Sequence, residues 1–195
     1  MKPASIAQVQ DSSTVDAHTG SVRSVQSATL SLPAAALSEL WSPLHLERLA
    51  RTYWRFLTRV TLGLIQVKYT DTERFVVLLF KPLRLLTFRA PEYELEGDRG
   101  VVRWRVERGL LVAKAGRHGR GYLQIEVRRL DEDAAGRACV RVEVEVENFY
   151  PRIAAGLGRW FYRQTQSRIH VLVTKGFLRS LARLDLAESR TRRFA

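Results

Sequence analysis

Residues 137–147 read RACVRVEVEVE and alternate without a break. Ala138, Val140, Val142, Val144 and Val146 fall on one side, with Arg137, Cys139, Arg141, Glu143, Glu145 and Glu147 on the other. A period of two sustained over this length predicts a β-strand with one apolar and one polar face. The same pattern sets Val102, Trp104 and Val106 against Arg103, Arg105 and Glu107, and Leu123, Ile125 and Val127 against Gln124, Glu126 and Arg128. The polar sides carry both signs of charge. Opposite charges on neighbouring strands each stabilise pairing by a few tenths to about 1 kcal/mol. These segments therefore predict an antiparallel sheet with one face in water and one face needing cover.

Elsewhere the period changes. Val25–Leu32 alternates and is closed by Pro33, and Ala34–Trp41 has the length of a short helix. Ser42-Pro43 is a helix opening, with Ser as N-cap and Pro at the first helical position. Leu46, Leu49, Ala50, Tyr53, Leu57 and Val60 then follow helical spacing up to Gly63. Strand segments are expected at 64–70 and 74–80 around the turn Asp71-Thr72-Glu73, at 83–89 and at 93–96. Gly109 marks a bend. From Pro151 to about Leu186 the pattern predicts one long helix, with Ile153, Leu157, Trp160, Phe161, Ile169, Leu172, Val173, Phe177 and Leu181 on its apolar stripe. The expected fold is α+β: a curved antiparallel sheet wrapped around a long C-terminal helix, with two shorter helices after the first strand. Residues 1–23 are polar and aperiodic and are expected to be a disordered tail. A single domain is expected over 24–187, followed by a basic tail over 188–195.

Composition adds bounds. A chain of 195 residues can bury a core without disulfide or metal. The single cysteine, Cys139, has no internal partner and fits a reducing compartment. No run is apolar for the ~20 residues that a membrane span needs, and the first residues lack the apolar core of a secretion signal. The expected location is cytoplasmic. The formal charge is +12 and the pI about 10.6. Such a balance invites an anionic membrane or, less readily, nucleic acid as partner. The arginines are spread over nearly every element, however, and dispersed charge is a weak footprint for either.

The familiar catalytic motifs are missing. The four histidines form no HxxxH, HExxH or Cys/His cluster, so no metal site is expected. No Ser or Cys occupies a GxSxG elbow, and Cys139 falls on a polar strand face with nothing nearby to activate it. The run GRHGRG at 116–121 lacks the strand–loop–helix context of a phosphate loop and reads as a hairpin turn. No cofactor is expected.

The order of strand, two helices, about six strands and one long helix resembles the helix-grip fold of the START-like, or SRPBCC, superfamily, whose members include polyketide cyclase/dehydrase-type proteins and lipid-transfer domains. The segments VRWRVERG, YLQIEVRRL and RVEVEVENFYPRI are similar to its late strands and terminal-helix entrance. The resemblance covers about residues 25–186 and rests on architecture. It implies a cavity between sheet and terminal helix, and carries no catalytic residue across.

Within that frame, the polar middle of the terminal helix supplies Thr165 and Arg168 as groups facing an otherwise apolar cavity. Tyr93, Trp104, Val106, Leu123, Ile125, Val142, Val144, Phe161, Ile169 and Leu172 are the expected walls. The expected activity is binding or transport of a hydrophobic small molecule: a lipid, polyketide or isoprenoid-like compound. The alternatives are a cyclase/aromatase-type enzyme using the same cavity, and a module whose basic face meets an anionic membrane or nucleic acid. Arg51, Arg55 and Arg59, repeating at i,i+4, would carry that last role.

Overall fold

The Val-rich segment forms β9 (Ala138–Phe149), a central strand. The structure is a computed structural model that describes residues 5–16, 18, 21–78, 84–109, 112, 118, 120–149 and 177. The elements in chain order are β1 (Ser5–Val15), β2 (Val22–Leu32), α1 (Ala34–Leu40), α2 (Pro43–Val60), β3 (Ile65–Tyr69), β4 (Glu73–Leu78), β5 (Arg84–Arg89), β6 (Glu92–Glu96), β7 (Arg99–Arg108), β8 (Tyr122–Leu130) and β9. Among the described residues they make one open antiparallel sheet in the order β1-β2-β9-β8-β7-β5-β4-β3, with β6 also on β7. The helix pair carries the chain from β2, near one side of this sheet, to β3 at the other.

Alternation holds where it was strongest. Val102 of β7 lies opposite Ile125 of β8, which lies opposite Val144 of β9. All three are sealed from solvent. The inner face they form is covered by α2, whose start follows the expected cap: the amide of His45 donates to Ser42 Oγ at 3.3 Å, and Pro43 opens the helix. Aromatic side chains fix α2 to the sheet. Trp54 meets Trp104 edge-on at 5.1 Å and Phe88 at 5.5 Å, while Tyr53 meets Trp54 at 5.3 Å. Such pairs contribute about 0.5–1.5 kcal/mol each beyond their buried area.

Two features shape the sheet. β7 pairs with β6 along its first half and with β5 near its end, so the break at Ala90-Pro91 lets two short strands share one long neighbour. At the end of β7 the backbone comes so near β5 that a Cβ on Gly109 would lie 2.3 Å from the Leu85 carbonyl oxygen. Only glycine fits there.

Within the span 1–23 expected to be a disordered tail, the described residues Ser5–Val15 form β1. Ser5–Val15 pair with β2 through a register shift between Ala7 and Gln10, where Gln8 has φ +52°. β1 is exposed along almost all its length. Its apolar residues Ile6, Ala7, Val9 and Val15 are scattered among polar ones and show no alternation to read. Backbone hydrogen bonds to β2, rather than a buried stripe, place it.

Of the long C-terminal helix, the described residue is Phe177, which is helical, fully buried and edge-on to Tyr53 at 5.6 Å. The rest of that expectation, and the basic tail over 188–195, lie outside the described residues.

Candidate functional site

Where α1 turns into α2 above the sheet, the inner face is incompletely filled. A cavity of about 90 Å³ opens there. Its floor is Leu30 and Leu32 of β2 with Val140 and Val142 of β9, and its walls are Leu37 and Leu40 of α1 with Leu46 and Leu49 of α2. Leu95 of β6 and Val127 of β8 close the far side, and Trp41, Ser42 and His45 supply the polar rim. The helix corner creates the space. Leu46 and Leu49 sit one turn apart on the face that α2 presents to the sheet, and α1 meets that face from the side. An apolar hollow with a few placed polar groups is the usual form of a small-ligand site.

The rim has defined chemistry. Ser42 Oγ lies 2.8 Å from His45 Nδ1, and Arg48 donates to His45 Nε2 at 3.1 Å. A guanidinium can only donate, so Nε2 carries the lone pair and the neutral ring bears its proton on Nδ1. Nδ1–H therefore donates to Ser42 Oγ, which also accepts from the His45 amide. Burial, and then the Arg48 charge, hold the His45 pKa below its ordinary value, which keeps this neutral tautomer. The pair has the residues of a nucleophile and base with the proton on the wrong nitrogen. Ser42 is left with its own O–H to donate, not activated for attack.

The inner-face residues singled out from the sequence come together, mostly in packed core. Trp104, Val106, Leu123, Ile125, Val142 and Val144 belong to one buried cluster with Tyr53, Trp54 and Phe177, and Tyr93 packs against it. Of these, Val142 lines the cavity. Burial first, then the nearby Glu47 charge, push the Tyr93 phenol pKa well up, so it stays protonated. Phe161, Thr165, Arg168, Ile169 and Leu172 lie outside the described residues. The sequence reading missed the cavity's leucines, because each fits an ordinary core position. The legible clue was Ser42-Pro43 with His45 in the following turn.

Beside the cavity, α2 carries polar groups inward. Glu47 is 2% exposed and pairs with Arg51 at 3.8 Å, yet its buried Oε2 has no hydrogen-bond partner among the described residues. Arg51 in turn lies over the Tyr69 ring at 5.3 Å. Of the three arginines expected to form one basic face, Arg51 is thus turned into the protein, while Arg55 and Arg59 are exposed. Around 116–121, His118 binds back to β7 through its amide (3.0 Å to the Glu107 carbonyl) and its ring (3.3 Å to the Glu107 carboxylate). Residues 116, 117 and 119 of the expected hairpin turn lie outside the described residues. Cys139 is buried on the outer side of β9, with its sulfur 3.8 Å from the Arg137 carbonyl.

The outer face is a lattice of ion pairs. Arg105 grips Glu92 at 2.7 and 3.2 Å, Arg99 reaches Glu126 at 2.9 Å, Arg23 reaches Glu145 at 2.6 Å and Arg89 reaches Glu107 at 2.6 Å. Tyr122 donates to Glu147 beneath the Arg103 guanidinium.

No family model matches the chain, and no curated protein compared with it matches. Among solved structures it is similar to Ara h 8.0201, with TM-score 0.33 and 9% identity over 80% of this chain and 98% of that one. It is also similar to CalU16 from Micromonospora echinospora, with TM-score 0.34 and 11% identity over 93% of each chain. A third is an uncharacterized protein from Rhizobium leguminosarum, with TM-score 0.31 and 15% identity over 81% and 98%. At such scores the likeness carries no argument. No helix among the described residues is long and apolar enough to cross a membrane.

Proposed function

We propose that this protein binds a hydrophobic small molecule, a lipid, polyketide or isoprenoid-like compound, on the inner side of its sheet, in the hollow at the α1–α2 corner. The single observation that carries this reading is the aliphatic cavity at the α1–α2 corner, with the Ser42 hydroxyl at its rim keeping its proton to donate. Its volume of about 90 Å³ is below the ~300–1,000 Å³ of a site that encloses a whole drug-sized ligand. It suits the end of an acyl or prenyl chain or a single ring, with Ser42 donating to a carbonyl or hydroxyl oxygen. Burial of apolar ligand surface, at about 25 cal/mol per Å² before entropic costs, would drive binding. A cyclase-type reaction at this cavity would need an acid or base facing the ligand. Among the described lining residues His45 is the one titratable group, and both its ring nitrogens are engaged.

Native mass spectrometry of the protein purified from cells tests the reading. A bound apolar species is expected, displaced when Val140→Trp fills the hollow. Protein that carries nothing, and takes up nothing from a panel of fatty acids, prenols and small aromatics, would end it.

A further inference from the structure

The opposite end of α2 is built quite differently. The helix closes with a Schellman arrangement: the Leu62 amide donates to the Arg59 carbonyl at 3.1 Å and the Gly63 amide to the Thr58 carbonyl at 2.8 Å. Thr61 Oγ1 donates to the Leu57 carbonyl at 2.9 Å and accepts from the Ile65 amide at 3.2 Å, so the loop is held firmly. The residue that must adopt the left-handed conformation in this motif is ordinarily glycine. Here it is Leu62, with φ +51°, and its side chain is 90% exposed. Leu64, two residues on, is 44% exposed. A bulky apolar residue is thus held outward in a backbone conformation that disfavours it.

The flanking sequence carries basic groups and no acidic ones. Residues 48–70 contain no Asp or Glu, and they hold Arg48, Arg51, Arg55, Arg59 and Lys68. Arg55 and Arg59 share one face of α2 at i, i+4, and both are exposed, as is Leu62 just past the helix end. An aliphatic tip backed by cations on one helical face is the chemistry of a surface that rests on anionic lipid. The leucines enter the acyl boundary while the guanidiniums stay among headgroup phosphates. Nucleic acid would use the arginines but has no use for exposed leucines.

We infer that the α2–β3 loop docks the protein reversibly on an anionic phospholipid bilayer, with Leu62 and Leu64 inserting and Arg55 and Arg59 holding the surface. This inference stands independently of the cavity. The test is co-sedimentation of the full chain with phosphatidylcholine vesicles, with and without phosphatidylserine, at low and high salt. Binding is expected only with phosphatidylserine, and it should weaken with salt. Leu62→Gly should cut it about tenfold, as expected for one inserted leucine. Arg55→Gln and Arg59→Gln should each cut it about fivefold. Leu62→Gly places the preferred residue in the left-handed position, so the variant should stay folded, and thermal unfolding checks this. Loss of docking in a variant at least as stable as the parent supports the inference. Absence of binding to phosphatidylserine vesicles overturns it, as does binding that Leu62→Gly leaves unchanged or binding to DNA in preference to vesicles.

Discussion

The two faces of the sheet are built from the same strands and owe their stability to different forces. On the inner face Val102, Trp104, Ile125, Val142 and Val144 touch no solvent and are held by area and fit. On the outer face Arg99, Arg103, Arg105, Arg128 and Arg141 alternate with glutamates and are held by charge and geometry. Alternation places neighbours on one strand in opposite environments, so adjacent positions differ severalfold in what a substitution costs. The inner face is expected to set the stability of the fold, and the outer face its solubility and strand register.

The sharpest way to break this contrast is Trp104→Ala. It removes the side chain against which Trp54 packs at 5.1 Å and leaves a cavity, at a cost of about 3–5 kcal/mol. Chemical denaturation would show it, and a loss under ~1 kcal/mol would mean the inner face is loosely packed. A smaller effect comes from placing the same residue at two adjacent positions of β9. Val144→Thr buries a hydroxyl without a partner and should cost about 1–3 kcal/mol, whereas Glu143→Thr should stay within about 0.5 kcal/mol. Equal losses would erase the distinction between the faces. Least is expected from the outer lattice: a double-mutant cycle on Arg105 and Glu92 should give a coupling of about 0.2–1 kcal/mol.

The lattice should also show in acid. A hydrogen bond from Arg89, followed by one from His118, holds the Glu107 carboxyl below its ordinary pKa. At Glu126 burial pushes the other way but is outweighed by hydrogen bonds from Arg99 and Arg128. Depressed carboxyls contribute stability that is present above their unfolded pKa and lost as pH falls through the folded one. Stability should therefore decline below the ordinary carboxylate range. Arg89→Gln should flatten part of that decline.

Legibility followed the strength of each local pattern. β7, β8 and β9 announced themselves because one face of each is largely buried, which forces a period of two. The N-cap at Ser42 was readable because capping is a local matter of one hydroxyl and one proline. β1 was invisible because neither of its faces is buried, so nothing constrains its residues to alternate. The cavity was invisible for another reason. Leu30, Leu40, Leu49 and Val140 come from four elements, and no spacing along the chain records that their side chains fail to meet. The arginines at 51, 55 and 59 share a helical spacing, but that spacing could not tell that Glu47 and Tyr69 draw Arg51 away from the other two.

The irregularity at Gln8 has a consequence for how this molecule behaves when crowded. β1 is the outermost described strand on its side, eleven residues long, with Asp11 its one charged side chain. A straight strand of that kind would be a template for a neighbouring chain, inviting fibril-like growth. The extra residue turns the amide row out of line midway, so an incoming strand can match one half or the other but not both. A single kink thereby does the protective work that lysines or prolines perform on other sheet borders.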